Sequence, residues 1–493
     1  VLFRSFPSIP SNKDYHLVMH THNDLGWRKK IDEYQREAID PILDSSTQYL
    51  KSHPDGRFTY CNIGFLYNYL QSHPGQVAAI RDLIKKGELY IVNGGVAVHD
   101  NACTHYDDII NNFEFGREFS QKVLGVNPKI GWLVDPFGHS KTTTRLYGLM
   151  DYDYYLTNRI STLDKLEMIE KQQMIYNWTD PLGLISSLVT YELPEHYTTP
   201  HPFSFELSFN KTSSWNPRPV ISPLDPNFDL LDRCTLFYRI VNNMGRQYIT
   251  KNILVLLGDD FAFRDFGLEM KYWGPVITAL KSNQKGMFNG SRFRYSTAGE
   301  YFDAVSEEIA SGKVKIPEKK VQDFFPLLDD MFDHNTISWT GYFTTRPHLK
   351  RAMKRFSQTV RAIGDFYAGQ LLEYNGYFAD DFHKDTESSR WLVGVNTHHD
   401  AITGTCEKKV CEDYHERMRK EIDHLSTILS KYIINPSLGA NPPIKSTILW
   451  DDSCIDLTKE KIIVLAGGEV TVDNYAVMGT NRLKEDNQYI KVR

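Results

Sequence analysis

The chain has 493 residues, which is more than one hydrophobic core usually organises, so we expect two or three domains. Hydrophobic residues make up 41% and charged residues 24% of the chain, an ordinary balance for a globular protein. The formal net charge of -6 offers no basic footprint for nucleic acid, and no apolar run is long enough to cross a bilayer. We therefore expect neither a nucleic-acid partner nor a transmembrane segment.

A strand-like stretch with three candidate metal ligands lies near the start of the chain. The apolar beginning of Leu17–Trp27 runs into His20, His22 and Asp24. Residues two apart in an extended chain share one face, so these three side chains are expected side by side. Zinc accepts imidazole and carboxylate ligands, and Trp27 adds an aromatic plate suited to a sugar ring. A buried strand end with hydrogen-bonded histidines explains the stretch about equally well.

Strand-like and helical stretches alternate from Tyr15 to about Leu257, which is typical of a parallel sheet or barrel. The chemistry of such folds lies at the C-terminal ends of the strands. Polar residues directly follow several predicted strands, namely His22, Asp24, Asn93, Asp135, Arg159, Asp259 and Asp260. We therefore predict an α/β fold in which residues 1–320 form a seven-stranded parallel β/α barrel-like catalytic domain.

Long helical patterns follow this region. Residues 348–377 and 411–434 carry apolar residues three and four apart, which predicts a helical bundle over residues 321–434. A turn between the two patterns carries the polar triplet His398–Asp400. We expect this second domain to lend ligands to the first.

A Pro- and Gly-rich linker at residues 435–443 precedes short strand-like stretches. These stretches predict the start of a β-sandwich within residues 435–493, an incomplete C-terminal β-region. Because this is too little chain to close a sandwich, we expect a missing C-terminal region.

Cysteines are sparse, with six in the whole chain and no C-x-x-C pair of the kind that binds zinc. Cys406 and Cys411 are close enough in sequence for a local disulfide. Two inert thiols are the alternative.

The polar residues include a set of zinc-type ligands, namely His22, Asp24, Asp135 and His399. A carboxylate pair, Asp259 and Asp260, ends a different predicted strand. One carboxylate at a metal and one free carboxylate are the minimum for glycoside hydrolysis, which needs a nucleophile and a general acid/base. Taken singly, each motif is explained as well by a solvated turn or a helix N-cap.

Five motifs in a fixed order carry a specific resemblance. They are HTHNDLGW (His20–Trp27), VDPFGHS (Val134–Ser140), GDDF (Gly258–Phe261), WTGYFTTRP (Trp339–Pro347) and THHDAITGT (Thr397–Thr405). Together they resemble the α-mannosidases of glycoside hydrolase family 38. RKKIDEY after the first motif and NACTHYDDII at Asn101–Ile110 look more like the lysosomal branch than the Golgi branch.

The resemblance implies a role for each matching residue. It implies one zinc ion (Zn2+) per chain, held by His22, Asp24, Asp135 and His399. It makes Asp135 the nucleophile and Asp260 the general acid/base, and it leaves His20 in a supporting role. The residues that it places around the sugar are Trp27, Phe137, Arg159, Tyr197, Asp259, Trp339, His398 and Asp400.

The implied activity is that of a zinc-dependent retaining exo-α-mannosidase acting on terminal α-mannosyl residues of N-glycan oligosaccharides or glycoproteins. Two alternatives stay open: a truncated mannose-binding pseudoenzyme, and an amidohydrolase-type metal hydrolase that uses His20 and His22. Sequons at Asn177, Asn210 and Asn289 agree with a glycoprotein of the lysosome, of another secretory or vacuolar lumen, or of the extracellular space. A homo-oligomer is the alternative to a missing C-terminal region.

Overall fold

The computed structural model describes residues 12–180, 187–201, 203, 229–282, 288–319, 323–332, 335–373, 379–432, 444–448, 462–467, 474–477 and 488–490. The sequon at Asn210 and the predicted linker at 435–443 lie outside these described residues.

The described residues divide into two compact units. The first unit falls within 1–25, 31–102 and 116–341, and the second falls within 26–30, 103–115 and 342–493. The domain boundaries after residues 320 and 434 stay predictions.

The first unit combines strands with the helices that connect them. Its strands are β1 (Asp14–His22), β2 (Phe58–Tyr60), β3 (Leu89–Ile91), β4 (Ile130–Leu133), β5 (Tyr154–Thr157), β6 (Ile175–Trp178), β7 (Leu188–Glu192), β8 (Asn252–Asp260), β9 (Arg292–Ser296), β10 (Glu318–Lys319), β11 (Leu328–Phe332) and β12 (Asn335–Ser338). Helices of the same stretch are α1 (Ile31–Tyr34), α2 (Asp40–Ser52), α3 (Ile63–Ser72), α4 (Val77–Lys85), α5 (Tyr106–Phe119), α6 (Lys141–Leu149), α7 (Thr162–Glu170), α8 (Leu230–Gly245), α9 (Phe266–Ser282) and α10 (Ala298–Ala310). The first ten residues of α5 belong to the second unit.

Two five-stranded sheets organise the first unit. In one sheet the order is β3-β2-β1-β8, and β9 also pairs with β1. In the other the order is β10-β6-β7-β5-β4. All pairs in these two sheets are parallel except β6 with β7.

The predicted α/β class with parallel strands and helices is confirmed. The seven-stranded barrel-like sheet is not confirmed, because strands β1–β10 divide between two sheets and one pair is antiparallel. Alternating strands and helices indicate that strands pair in parallel, but they do not encode which distant strands exchange hydrogen bonds.

Strand β1 lies at the centre of the first sheet. All nine of its residues are buried, and Leu17, Val18 and Met19 have no exposed surface. It pairs with β8 along its whole length, which places His20 opposite Gly258 and His22 opposite Asp260. A candidate metal ligand, His22, therefore stands beside a candidate catalytic residue, Asp260, that is more than 200 positions later in the chain.

Close approach of β1 and β8 requires glycine at position 258. A Cβ atom there would lie 2.0 Å from the carbonyl oxygen of His20, which is backbone and cannot rotate away. We expect Gly258→Ala to lower the free energy of unfolding by about 2–3 kcal/mol, because the sheet must deform. Thermal unfolding measures this effect.

The matched control is Gly364→Ala in the helix Pro347–Glu373, where nothing lies within 4 Å of the added Cβ atom. It is expected to raise stability by about 0.5–1 kcal/mol, since alanine favours helix more than glycine does. Equal melting temperatures for the two variants would contradict the steric argument.

The second unit contains the long helices. They are α11 (Pro347–Glu373), α12 (Ala379–Asp385), α13 (Glu387–Asn396) and α14 (Lys408–Tyr432). The long helices predicted at 348–377 and 411–434 are present as α11 and α14, and both pack against α13. Four short strands complete the unit, namely β13 (Ile444–Ile448), β14 (Ile462–Gly467), β15 (Asn474–Val477) and β16 (Gln488–Ile490). No helix within the described ranges has the length and apolar character of a membrane span.

Candidate active site

The ends of β1 and β4 bring three predicted metal ligands together. His22 ends β1, Asp24 follows two residues later, and Asp135 follows β4. The Nε2 atom of His22 lies 2.9 Å from Oδ1 of Asp24 and 3.5 Å from Oδ2 of Asp135. All three residues are buried. Two strands from different sheets of the first unit therefore meet at this point.

Charge at this cluster favours a cation. Burial by itself opposes protonation of His22, but the charge of Asp24 and hydrogen bonds to Asp135 and Asp24 raise the pKa of His22 to about 10. The two carboxylates thus hold a proton on the imidazole when no other cation neutralises them. A metal ion would take over that role.

The same three residues fit zinc by their chemistry and spacing. One nitrogen and two carboxylate oxygens are ligands that zinc accepts, and the ligand atoms all lie within 4.8 Å of one another. Ligand atoms in a tetrahedral zinc site are roughly 3.3 Å apart, since each zinc–ligand bond is about 2.0 Å long. The distances of 2.9 Å and 3.5 Å around His22 bracket that value.

Arg159 fixes the other oxygen of Asp135. Its Nε atom donates to Oδ1 of Asp135 at 2.5 Å. Burial opposes the charge of Arg159, but Asp135 outweighs this effect and raises the pKa of the guanidinium group. A permanently charged partner keeps the Asp135 carboxylate ionised, as a nucleophile requires.

Aromatic rings surround this ion pair. The guanidinium of Arg159 lies 5.4 Å from the ring centre of Trp339 and 5.8 Å from that of Phe137. The two rings are themselves 5.2 Å apart. Sugar-facing aromatic residues predicted from sequence are therefore brought next to the candidate nucleophile.

Asp260 has a different environment from Asp135. It stands opposite His22 in the paired strands, and its Oδ1 accepts a hydrogen bond from the hydroxyl of Tyr197 at 2.8 Å. Burial, followed by the negative charge of Asp24, raises the pKa of Asp260 to about 8. A carboxyl group that keeps its proton near neutral pH is suited to general acid catalysis.

Its neighbour Asp259 serves the local turn. The Oδ1 atom of Asp259 accepts from the backbone N–H of Asp260 at 2.7 Å. Asn93, another polar residue at a strand end, is also tied to the backbone, because its side-chain amide donates to the carbonyl of Ala97 at 3.2 Å. The structure thus gives both residues a part in shaping loops.

His20 is buried like the metal-ligand cluster but contacts a different partner. Its Nε2–H donates to the carbonyl oxygen of Tyr197 at 2.8 Å, and burial lowers its pKa to about 3. The ring packs 5.7 Å from that of Trp132. This neutral histidine holds the backbone of the residue whose hydroxyl contacts Asp260, which favours the supporting role.

His196 is a site residue that sequence reasoning missed. Its Nε2 atom lies 3.4 Å from Nη2 of Arg159, and its ring lies 4.1 Å from that of Tyr197. Because a guanidinium N–H can only donate, the Nε2 atom of His196 accepts this hydrogen bond. Its position directly before a predicted sugar-site tyrosine was the available signal.

The remaining predicted site residues belong to the second unit. His398 and His399 are fully buried, and their Nε2 atoms lie 3.4 Å and 3.9 Å from Oδ2 of Asp400. The hydroxyl of Thr405 donates to the other oxygen of Asp400 at 2.5 Å. Trp27 is half-buried, with the guanidinium of Arg28 4.2 Å from its ring centre. These side chains are ordered by contacts within their own unit.

Comparisons with known proteins agree with the sequence motifs. Residues 13–333 match the family described as the glycosyl hydrolases family 38 N-terminal domain, and residues 338–434 match the alpha mannosidase middle domain. The lysosomal alpha-mannosidase of Dictyostelium discoideum is 30% identical over 477 residues, which cover 92% of this chain and 45% of that protein. Alpha-mannosidase 2 of Rattus norvegicus is 27% identical, with coverage of 97% and 44%.

A solved structure shows the same fold. The crystal structure of an alpha-mannosidase from Enterococcus faecalis V583 matches with a TM-score of 0.65 and 18% identity, covering 85% of this chain and 42% of that one. The chain thus spans less than half the length of the curated relatives described above.

Proposed function

The chain belongs to the glycosyl hydrolases of family 38, and on that premise we propose that it is a zinc-dependent retaining exo-α-mannosidase. Its proposed substrates are terminal α-mannosyl residues of N-glycan oligosaccharides and glycoproteins. The observation that carries the proposal is the pair of carboxylates in unlike environments: Asp135 is held by Arg159 and lies beside His22, whereas Asp260 accepts from Tyr197. Two such carboxylates are what retaining glycoside hydrolysis requires.

The proposed zinc ligands are His22, Asp24, Asp135 and His399. The first three are supported by their clustering within the first unit, and His399 is supported by its place in the motif Thr397–Thr405. Bound zinc would accept hydroxyls of the terminal sugar and favour a ring shape near the transition state. We propose one ion per chain.

The chain's own residues perform the proton and bond changes. The carboxylate of Asp135 attacks the anomeric carbon while Asp260 gives its proton to the departing glycosidic oxygen, so one C–O bond forms as another breaks. Asp260, now ionised, takes a proton from water, and the oxygen of that water displaces Asp135. Two displacements at one carbon retain its configuration. Tyr197 keeps Asp260 oriented for both proton transfers.

The remaining predicted residues are proposed to bind the sugar. Phe137 and Trp339 would stack on its apolar face, as aromatic rings do. We assign further substrate contacts to Trp27, Arg159, Tyr197, Asp259, His398 and Asp400. Domain boundaries after residues 320 and 434, and a lysosomal or other luminal location, complete the proposal.

Activity and metal dependence test this function directly. The purified chain is expected to release 4-nitrophenol from its α-mannoside and not from its β-mannoside. Chelation should lower this rate by roughly 100-fold or more, and added zinc should restore it, because metal loss removes electrostatic stabilisation at the sugar. Mannose binding without turnover would favour the pseudoenzyme, and activity unaffected by complete zinc removal would overturn the metal mechanism.

Paired histidine variants separate the proposal from the amidohydrolase alternative. His22→Ala is expected to lose bound zinc, whereas His20→Ala should keep it and lower kcat by about 10-fold, the size of effect seen for supporting residues of metal sites. His20→Gln, which retains an N–H donor for the Tyr197 carbonyl, should recover part of the rate. Loss of zinc from both alanine variants, with folding intact by circular dichroism, would instead support an H-x-H metal pair.

A further inference from the structure

Two helices of the second unit bring two histidines and a cysteine together, and none of the three is among the residues assigned above. His348 lies in the first turn of α11, and Cys411 and His415 lie four residues apart on one face of α14. One ligand atom from each of the three lies within 4.8 Å of the others. The two imidazole rings are nearly parallel, at 8°, with centres 5.7 Å apart.

The three side chains line an open cavity of about 580 Å³. Cys411 is buried and both histidines are half-buried, and all three line this open cavity, through which an ion can approach them. Arg346, Lys408 and Glu412 complete the lining. The cavity leaves room for a further small ligand beside the three side chains.

The donor set selects the class of ion. A thiolate with two imidazoles suits zinc and similar transition metals, whereas calcium and magnesium prefer oxygen ligands. Ligand atoms bound to one zinc lie roughly 3.3–3.8 Å apart, so modest rotations of these side chains would close the observed spacing. We propose that His348, Cys411 and His415 bind a zinc-type divalent cation, with a fourth position open to the cavity.

The two cationic side chains near the cluster, Arg346 and Lys408, each contact another group, which leaves the three ligand atoms available to a cation. The guanidinium of Arg346 is directed to another sulfur, with Nη1 3.1 Å from Sγ of Cys406. The ammonium of Lys408 lies 3.8 Å from a carboxylate oxygen of Glu412. Binding releases the thiol proton of Cys411 to solvent, so the bound thiolate offsets one of the two metal charges.

Cys406 is a nearby thiol outside the cluster. Both Cys406 and Cys411 are free thiols, so the local disulfide considered from the sequence is not formed. This leaves the sulfur of Cys411 available as a ligand and makes Cys406 a matched control. The proposed catalytic ligands contain no sulfur, so a sulfur–metal signal separates the two sites.

Cobalt titration of the metal-free, reduced, full chain tests the proposal. Co2+ should produce a thiolate-to-metal charge-transfer band in the near ultraviolet, saturating at one ion per chain. Cys411→Ser should abolish the band, Cys406→Ser should keep it, and His415→Ala should weaken Co2+ binding by roughly 100-fold, as loss of one of three ligands requires. Asp24→Ala, which alters only the proposed catalytic site, should leave the band unchanged whether or not the chain hydrolyses mannosides.

Absence of the band in the unaltered chain, or its persistence in Cys411→Ser, would overturn the proposal. Should Cys411→Ser fail to fold by circular dichroism, the half-buried His348 provides the deciding variant. Co2+ affinity of His348→Ala equal to that of the unaltered chain would then overturn it, and weaker binding by roughly 100-fold would support it.

Discussion

Replacing Asp135 with asparagine is expected to lower kcat/KM for 4-nitrophenyl α-mannoside by about 10⁴-fold, because the amide cannot attack the anomeric carbon. The structure makes this residue the meeting point of His22 and Arg159, each within 3.5 Å of one of its oxygens. Steady-state kinetics with matched protein concentrations gives the measurement. A substrate with a better leaving group should not restore the rate of Asp135→Asn, because the variant lacks the carboxylate that forms the new bond to the anomeric carbon.

The control for this variant is Asp151→Asn. Asp151 is an exposed carboxylate paired with Lys129, so the same chemical change there should leave kcat/KM within about twofold. Asp135→Asn also leaves the half-buried Arg159 without its charged partner, and a lower melting temperature is expected. A folded Asp135→Asn variant with more than a tenth of the original activity would exclude Asp135 as the nucleophile.

Replacing Asp260 with alanine is expected to slow hydrolysis in a way that depends on the leaving group. General acid catalysis is typically worth about 10²–10⁴-fold, and that loss should appear in full for a mannosyl disaccharide. A 2,4-dinitrophenyl leaving group departs without a proton, so the first step should be nearly preserved and the covalent intermediate should accumulate. Burst kinetics and mass spectrometry of the intact protein detect this state.

Added azide provides an independent check on Asp260→Ala. Azide needs no general base, so it should release the trapped sugar and give an α-mannosyl azide by double displacement. Asp55→Ala removes an exposed carboxylate and serves as the control, with no azide effect expected. Equal losses for all leaving groups would assign the acid role to another residue.

The pH dependence follows from the same residue. Protonated Asp260 is the active form for the first step, so kcat/KM falls as pH rises through its pKa, which lies at about 8. After burial, the negative charge of Asp24 is the main cause of the raised pKa of Asp260. Zinc bound to Asp24 would offset that charge, so the fall of kcat/KM at alkaline pH would begin below pH 8. Asp260→Ala should lose this alkaline fall, which a comparison of the pH profiles of kcat/KM for a mannosyl disaccharide reveals, because that leaving group needs the proton.

The candidate metal ligands and carboxylates could be found from the sequence because short stretches of chain carry the patterns that indicate them. The H-x-H-x-D spacing placed His22 and Asp24 on one stretch, and the strand-then-carboxylate pattern pointed to Asp135 and Asp260. Their clustering within one unit agrees with the rule that parallel strands present such residues at their C-terminal ends. Residue types and their order along the chain therefore sufficed for a hypothesis about the reaction.

The role of His20 shows where local spacing misleads. Residues two apart on β1 share a face, so spacing alone offers His20 and His22 equally to a metal. The structure directs His20 to the carbonyl of Tyr197, which lies 177 positions later in the chain. No periodicity in the sequence encodes a hydrogen bond between such distant residues.

By itself, the sequence determined the α/β class and the position of the long helices, and it singled out Asp135 and Asp260 as candidates, since each follows from short-range patterns or ordered motifs. Only the tertiary structure decided that strands β1–β10 form two sheets, that Tyr197 supports Asp260, and that His348 joins Cys411 and His415. These features depend on contacts between segments far apart in the chain. Such contacts are selected by packing and hydrogen-bond satisfaction across the whole fold, not by any local preference.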